Sequence, residues 1–232
     1  MALDVAAGAG GQTLALAERL GPQGRILATD LSPLLVERLR RNAAEAGLTT
    51  IEARAADAQA PLAETEAFDA AICRLGLMLM PEPARCLAAV RAALKPGGLF
   101  AAMVFAGPEH NPCLRMLMAT AARHAGVPAR DPFAPGGLLS LGRPGHLDQL
   151  FTAAGFRDVS TLLVEAPFRL PSADDYVAFL RTAAAPIMAM LARLAPAAQE
   201  AAWADLREQL AVFDGPQGWI GPNALLLTMG RN

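Results

Sequence analysis

A short apolar strand that runs directly into a glycine turn opens this chain and restricts what it can fold into. Hydrophobic periodicity predicts a strand at residues 3–5 and a helix at residues 11–20, with Gly8 and Gly10 in the turn between them. Asp30 follows about twenty residues later, at the end of a second apolar run. Glycine has no Cβ, so this turn can lie close to a ligand, and the carboxylate can accept hydrogen bonds from ribose hydroxyls. The pattern is typical of a βαβ unit that binds a nucleotide-like molecule.

The rest of the first half alternates between apolar strands and helices. Ser32 and Pro33 are residue types favoured at the N-cap and the first position of a helix, and Gly47 is placed to end that helix. Further strands are predicted at residues 25–29, 50–54, 68–73 and 99–105, and further helices at residues 33–46 and 82–94. Strands that alternate with helices in this way predict an α/β protein whose parallel sheet is covered on both faces.

The second half is richer in predicted helix. Helices are predicted at residues 108–126, 143–154 and 172–213, the last broken at Pro186 and Pro196, and strands at residues 159–165 and 224–229. A Pro- and Gly-rich loop is predicted at residues 131–145. The length of 232 residues can be buried as one domain, so we predict a single domain over residues 1–232.

Composition excludes several classes of function. The formal net charge is −2 and no basic run is present, which argues against a nucleic-acid partner. Cys73, Cys86 and Cys113 are widely spaced, so we predict no metal site and no disulfide framework, and a reducing cytoplasm is the simplest compartment. Arg, Pro or Gly interrupts each apolar stretch before it reaches membrane-spanning length.

Five segments, in order, resemble the class I S-adenosylmethionine-dependent methyltransferases, and in particular the branch of the ubiquinone/menaquinone C-methyltransferases. They are LDVAAGAG at residues 3–10, ATDLSP at 28–33, ADAQ at 56–59, FDAAICR at 68–74 and LKPGG at 94–98. The resemblance implies a doubly wound, Rossmann-like sheet of seven mostly parallel strands with a reversed last strand. Residues 1–106 would form the cofactor-binding half, and residues 107–232 the substrate-cover helices and the last strands.

The same resemblance implies S-adenosylmethionine as the cofactor and assigns a first group of contacts to it. Asp4 would offer negative charge to the ammonium group, directly or through water. The backbone at Ala6, Gly8 and Gly10 would lie against the ligand, and Asp30 would hold the ribose hydroxyls.

A second group of contacts would surround the adenosine. Asp57 would accept a hydrogen bond from the adenine amino group, and the backbone N–H of Ala58 would donate to the ring. Leu31 and Arg74 would flank the adenosine or the sulfonium end. The implied reaction is methyl transfer to a small organic acceptor of hydrophobic or aromatic character, with the oligomeric state left open.

Each of the charged residues also has a purely structural interpretation. Asp4 can cap the turn that follows it, Asp30 can be the Asx residue of its own turn, and Asp57 can be a solvated carboxylate after a strand. Arg74 is as well explained by a structural ion pair as by a ligand contact.

No catalytic residue is assigned. His110 is the best of three histidines because it follows the fifth predicted strand, although a histidine beside Asn111 is more often a surface turn residue. Cys113, Met116 and Met118 could line an acceptor pocket, but the buried face of a helix is the favoured interpretation.

Two other functions remain open. A nicotinamide-dependent oxidoreductase would use the same βαβ unit, but Thr13 stands where a third glycine is usual, and no Tyr-x-x-x-Lys pair is present. A non-catalytic, truncated member of the family is the second alternative. The family normally carries one or more helices before the first strand, and these cover the cofactor. This chain begins inside that strand, so we expect that the sequence is truncated, that its start site is misassigned or that a partner supplies the cover.

Overall fold

A computed structural model describes residues 1–128 and 130–232, and the first half follows the predicted alternation closely. Its strands are β1 (Ala2–Val5), β2 (Ile26–Asp30), β3 (Ile51–Ala55), β4 (Phe68–Arg74) and β5 (Leu94–Phe105). Its helices are α1 (Gly11–Leu20), α2 (Pro33–Glu45) and α3 (Pro83–Ala93). The predicted N-cap is present, because the hydroxyl of Ser32 accepts a hydrogen bond from the backbone N–H of Leu35. Residues 95–98, which lie between the helix predicted at residues 82–94 and the strand predicted at residues 99–105, belong instead to β5, which begins at Leu94.

The second half holds five α-helices and five strands in the part of the chain that the structure describes. The helices are α4 (Pro112–His124), α5 (His146–Ala153), α6 (Ala173–Ala183), α7 (Ala185–Leu191) and α8 (Pro196–Leu210). The strands are β6 (Arg157–Glu165), β7 (Phe168–Leu170), β8 (Asp214–Gly215), β9 (Gly218–Gly221) and β10 (Ala224–Arg231). The long helical region does break at the two predicted prolines. The short strands β7, β8 and β9 were not predicted, and they form a separate sheet in the order β7-β9-β8.

The main sheet has seven strands in the order β3-β2-β1-β4-β5-β10-β6. The first five strands of that order are parallel, and β10 runs antiparallel to both of its neighbours. This arrangement confirms the predicted doubly wound sheet with a reversed last strand. Strand order reverses between β1 and β4, and ligands bind at such a switch point in open α/β sheets.

Two large hydrophobic clusters hold the molecule together. The first lies between the sheet, α3 and α5, where the ring of Phe100 stacks on Phe151 with centroids 5.3 Å apart. The second joins α4, α6, α7 and α8 to the small sheet, around the stacked rings of Tyr176 and Trp219. The helices predicted as a cover therefore have a core of their own. No helix among the described residues is long and apolar enough to cross a membrane.

Candidate functional site

The predicted site residues come together at one edge of the sheet. Strands β3, β2, β1 and β4 are consecutive neighbours and all parallel, so their carboxyl ends meet at the same edge. Asp30 ends β2 and pairs in register with Ala55 at the end of β3. Arg74 ends β4, and the glycine turn follows β1 directly. The sheet thus gathers, from four segments, residues that are up to about 70 positions apart in sequence.

Asp30 connects the two segments on which the prediction depended. One carboxylate oxygen accepts a hydrogen bond from the backbone N–H of Gly8, at 2.8 Å, and the other accepts one from the backbone N–H of Ser32, at 2.9 Å. The second bond is the Asx turn that was the structural alternative for this residue. An ionised carboxylate has about four acceptor positions, so two remain for a ligand. The side chain is only partly buried.

The glycine turn is held in a left-handed backbone conformation. Ala6 has φ +56° and Gly8 has φ +58°. A Cβ placed on Gly8 would meet nothing within 4 Å, so this part of the turn faces open space. A Cβ placed on Gly10 would lie 2.7 Å from Cγ of Leu39, so Gly10 is needed for the packing of α2 against the turn. The amide of Asn42 on α2 also donates to the carbonyl of Ala9, at 2.8 Å.

Asp4 lies beneath the turn and is almost completely buried. Its carboxylate accepts hydrogen bonds from the hydroxyl of Thr13, at 2.7 Å, and from the amide of Gln12, at 3.1 Å. Desolvation raises the pKa of Asp4 to about 6, although these two bonds and the charge of Arg74 oppose the shift. Asp4 therefore fixes the first turn of α1 to the end of β1, as its structural interpretation proposed. Any charge that it directs at a ligand acts from below the turn.

Asp57 and Ala58 follow β3 but do not contact the other predicted residues in the described hydrogen-bond network. Asp57 is exposed, and its carboxylate accepts from the backbone N–H and the side-chain amide of Gln59. The backbone bond is the main cause that lowers the pKa of Asp57. Ala58 is partly buried against the first core cluster. These two residues occupy the expected edge, and no contact in the structure assigns them a further role.

Leu31 and Arg74 are both exposed. Leu31 is 74% exposed, and two other leucines near this edge, Leu34 and Leu79, are 79% and 50% exposed. Arg74 is also exposed, and no ion pair to it is found among the described residues, so the structural ion-pair interpretation finds no support there. Three exposed leucines, and an arginine without an ion pair among the described residues, therefore lie near the edge of the sheet at which the glycine turn lies.

Several residues that complete the site were not predicted. Gln12, Thr13 and Asn42 hold Asp4 and the glycine turn through the bonds described above. Gly76 lies against Ala6, because a Cβ on Gly76 would lie 2.4 Å from the Cβ of Ala6. The sequence signal for Gln12 and Thr13 was only their polar residue type at the start of α1. Asn42 and Gly76 reach the site through tertiary packing, which leaves no local pattern in the sequence.

The other candidates divide between the surface and the core. His110 is exposed and lies 3.9 Å from the carboxylate of Glu109, in the turn that follows β5. Cys113 is buried in the second core cluster, and Met116 and Met118 pack against it, which agrees with the favoured interpretation of that helix. Within the described ranges, no group of three or more His, Cys, Asp or Glu residues could hold a metal ion.

The sheet order and the site at its switch point define the class of protein: a Rossmann-like fold of the methyltransferase type. Residues 2–98 match the family model described as "Methyltransferase domain". This match lies in the first half of the chain and confirms the resemblance to the class I methyltransferases that was found in the sequence. Nocamycin O-methyltransferase of Saccharothrix syringae is 28% identical over 194 residues, which cover 75% of this chain and 65% of that protein.

Other relatives match less than half of the chain. Aklanonic acid methyltransferase of a Streptomyces species is 30% identical over 99 residues, covering 43% of this chain and 45% of that protein. The ubiquinone/menaquinone biosynthesis C-methyltransferase of Bordetella avium is 32% identical over 103 residues, covering 44% and 40%. The chain thus spans 65% or less of the length of these relatives.

Solved structures share the fold over the whole chain. The YcgJ protein of Bacillus subtilis has a TM-score of 0.63 at 18% identity and covers 100% of this chain and 91% of its own. Phosphoethanolamine N-methyltransferase 2 of Haemonchus contortus has a TM-score of 0.57 at 14% identity, covering 99% of this chain and 48% of its own. Identities this low support the fold of this chain and nothing finer.

Proposed function

We propose that this chain transfers a methyl group from S-adenosylmethionine to a small organic acceptor. The observation that carries the proposal is the link between Asp30 and Gly8, because it joins the glycine turn to a carboxylate with two free acceptor positions. That geometry suits an adenosine laid across the ends of β1 and β2, with its ribose hydroxyls on Asp30. Ala6, Gly8 and Gly10 would form the backbone surface beneath it.

The structure fits this cofactor better than a dinucleotide. A dinucleotide places its pyrophosphate on the N-terminus of the helix after the glycine turn. In this chain the Asp4 carboxylate is bonded to Gln12 and Thr13 in the first turn of that helix, so its ionised form would repel a phosphate. The same charge attracts the ammonium of S-adenosylmethionine, which carries no phosphate. The nicotinamide-dependent oxidoreductase is therefore disfavoured.

The remaining predicted contacts keep their roles as part of the proposal. Leu31 and Arg74 would flank the adenosine and the sulfonium end, where both are exposed. Asp57 and Ala58 would contact the adenine, since they follow the strand next to β2. When bound, S-adenosylmethionine supplies an electrophilic methyl group on sulfur. The protein's part is to align the acceptor with the methyl–sulfur bond, and such alignment can contribute on the order of 7–11 kcal/mol.

We further propose an acceptor of hydrophobic or aromatic character. Leu31, Leu34 and Leu79 present apolar surface around the site, and the cover helices carry their own apolar core. The two relatives named for nocamycin and aklanonic acid act, by those names, on small organic molecules. A cytoplasmic location is also proposed, in keeping with three free, buried cysteines.

Isothermal titration with S-adenosylhomocysteine, the demethylated cofactor, tests the proposal. The wild-type chain should bind it, and Asp30→Ala should weaken binding at least tenfold, because each charge-assisted hydrogen bond contributes roughly 1.5–3 kcal/mol. Asp69→Asn is the matched control. Asp69 is also an exposed carboxylate, but it is paired with Lys95 near the start of β4, away from the site.

Three outcomes would count against the proposal. Equal affinity of the wild type and Asp30→Ala would remove the assigned ribose contact. Binding of NADH in preference to S-adenosylhomocysteine would favour the oxidoreductase. No binding by a folded wild-type chain would favour the non-catalytic alternative. Circular dichroism and thermal unfolding of each variant establish that the fold is intact.

A further inference from the structure

The carbonyl of Ala9 ties the glycine turn, residues 6–10, to the second half of α2. The side-chain amide of Asn42 donates a hydrogen bond to that carbonyl at 2.8 Å, across 33 positions of sequence, and Asn42 is partly buried. Leu39, three residues earlier on α2, is the side chain that a Cβ on Gly10 would meet at 2.7 Å. Residues three apart share one face of a helix, so α2 presents Leu39 and Asn42 together to the turn.

The same β2–α2 unit holds the turn at two points. Asp30 at the end of β2 accepts from the N–H of Gly8 at 2.8 Å, and its other carboxylate oxygen accepts from the N–H of Ser32, the N-cap of α2, at 2.9 Å. Asn42 holds the carbonyl of Ala9 from the last turns of that helix. The peptide that joins Gly8 to Ala9 therefore lies between two side-chain bonds, one through the N–H before it and one through the carbonyl after it.

The conformation of the turn requires contacts that impose it. Ala6 has φ +56°, a left-handed conformation that alanine keeps only under constraint, and Gly8 and Gly10 have φ +58° and +90°. Glycine adopts positive and negative φ about equally readily, so its own preference does not fix the turn. The side-chain bonds from Asp30 and Asn42 supply this constraint at the two glycines and the residue between them.

We propose that Asn42 is a positioning residue for the cofactor, because its bond to Ala9 fixes the backbone of the turn in the conformation that receives S-adenosylmethionine. The inference rests on the proposed function. Asn42 acts through the carbonyl of Ala9 and not on the cofactor itself. With that carbonyl released, the turn would adopt additional conformations. The apparent affinity for a ligand falls in proportion to the fraction of the protein in the competent conformation.

The same bond contributes little to the stability of the fold. Alanine forms helices more readily than asparagine, so Asn42→Ala replaces one hydrogen bond by a better helix residue. The two effects oppose each other, and the melting temperature should change by less than about 4 °C. A role in positioning and a role in folding therefore predict different results for the same variant.

Isothermal titration with S-adenosylhomocysteine separates these two roles. Asn42→Ala should raise the dissociation constant about threefold to tenfold, while its melting temperature stays within about 4 °C of the wild type. Arg41→Ala is the matched control, because Arg41 is exposed and points about 100° away from Asn42 on the same turn of α2. The control should change the dissociation constant less than about twofold.

Asn42→Asp adds a pH profile, which a purely structural role would not give. The introduced carboxyl has the shape of the amide, but its ionised form only accepts hydrogen bonds and would repel the carbonyl of Ala9. That carbonyl and the C-terminal end of α2 both raise the pKa of the introduced carboxyl. At about pH 8, binding should be weaker than for Asn42→Ala. The ratio of its dissociation constant to that of the wild type should fall towards about pH 5, because the protonated carboxyl donates to the carbonyl again.

The outcomes distinguish this inference from the proposed function. Equal affinity of the wild type and Asn42→Ala, beside weakened binding by Asp30→Ala, would overturn this inference alone. An equal loss for Asn42→Ala and Arg41→Ala would also overturn it, as would an Asn42→Asp ratio that does not change with pH. No binding by a folded wild-type chain would overturn both this inference and the proposed function.

Discussion

Gly76→Ala should destabilise the chain through one contact with the glycine turn. Gly76 has φ −104° and ψ −44°, a conformation open to alanine, so no backbone strain arises at the substituted residue. The added Cβ would lie 2.4 Å from the Cβ of Ala6 and 3.2 Å from Sγ of Cys73. Forcing a methyl group into a packed site costs about 1–3 kcal/mol. For a chain of this length, each 1 kcal/mol lowers the melting temperature by about 2–4 °C.

Ala6→Gly should rescue this variant, because it removes the atom that makes the closest contact. By itself, Ala6→Gly should be nearly neutral. It relieves about 1 kcal/mol of left-handed strain at φ +56°, but it adds a similar amount of conformational freedom to the unfolded chain. The double variant should therefore recover most of the stability lost by Gly76→Ala, with a coupling energy of about 1–3 kcal/mol.

Urea unfolding of the four members of this double-mutant cycle measures the coupling. Gly11→Ala, combined with the same Ala6→Gly, is the control, because a Cβ on Gly11 would meet nothing within 4 Å and its φ is not positive. That pair should be additive. Additive effects of Ala6→Gly and Gly76→Ala would refute the contact between the two turns and the packing of the site that depends on it.

Two further variants test buried polar groups. Burial raises the pKa of Asp4 from 3.8 to about 6. Between these two pH values the folded chain keeps a proton on Asp4 that the unfolded chain has lost. The free energy of unfolding should therefore fall as the pH rises from about 4 towards and through 6. Asp4→Asn should remove about 2–3 kcal/mol of this pH dependence of the free energy of unfolding. Urea unfolding at a series of pH values measures it, and equal pH profiles for both proteins would contradict the raised pKa. Asn111→Ala should cost about 2–4 kcal/mol, because it leaves the buried carbonyl of Ala106 without its donor and the buried N–H of Ala224 without its acceptor. The carbonyls of Gly107 and Ala224 keep backbone donors. A loss below about 1 kcal/mol in thermal or urea unfolding would show that the Ala106 carbonyl and the Ala224 N–H find other partners.

The first half of the fold could be predicted from the sequence because each element there carries its own local signal. The second half was predicted less precisely, because contacts between residues distant in sequence determine where several of its elements lie. Strands β7, β8 and β9 have only two to four residues, too few for a periodic pattern. The helix predicted from residue 108 begins at Pro112, and the side chain of its N-cap residue, Asn111, does not cap it but bonds across to Ala224, 113 residues away. No local pattern records such a bond.

The site shows the same division at the level of single residues. Asp4 and Asp30 are similar in sequence terms, since each is an aspartate in or at the end of an apolar strand. In the structure Asp4 is almost completely buried and bonded to two side chains of α1, whereas Asp30 bonds to two backbone N–H groups and keeps part of its carboxylate exposed. The difference arises from which helix packs over which strand end. Sequence can therefore name the residues at the switch point, but only packing separates a carboxylate that builds the turn from one with acceptor positions left for a ligand.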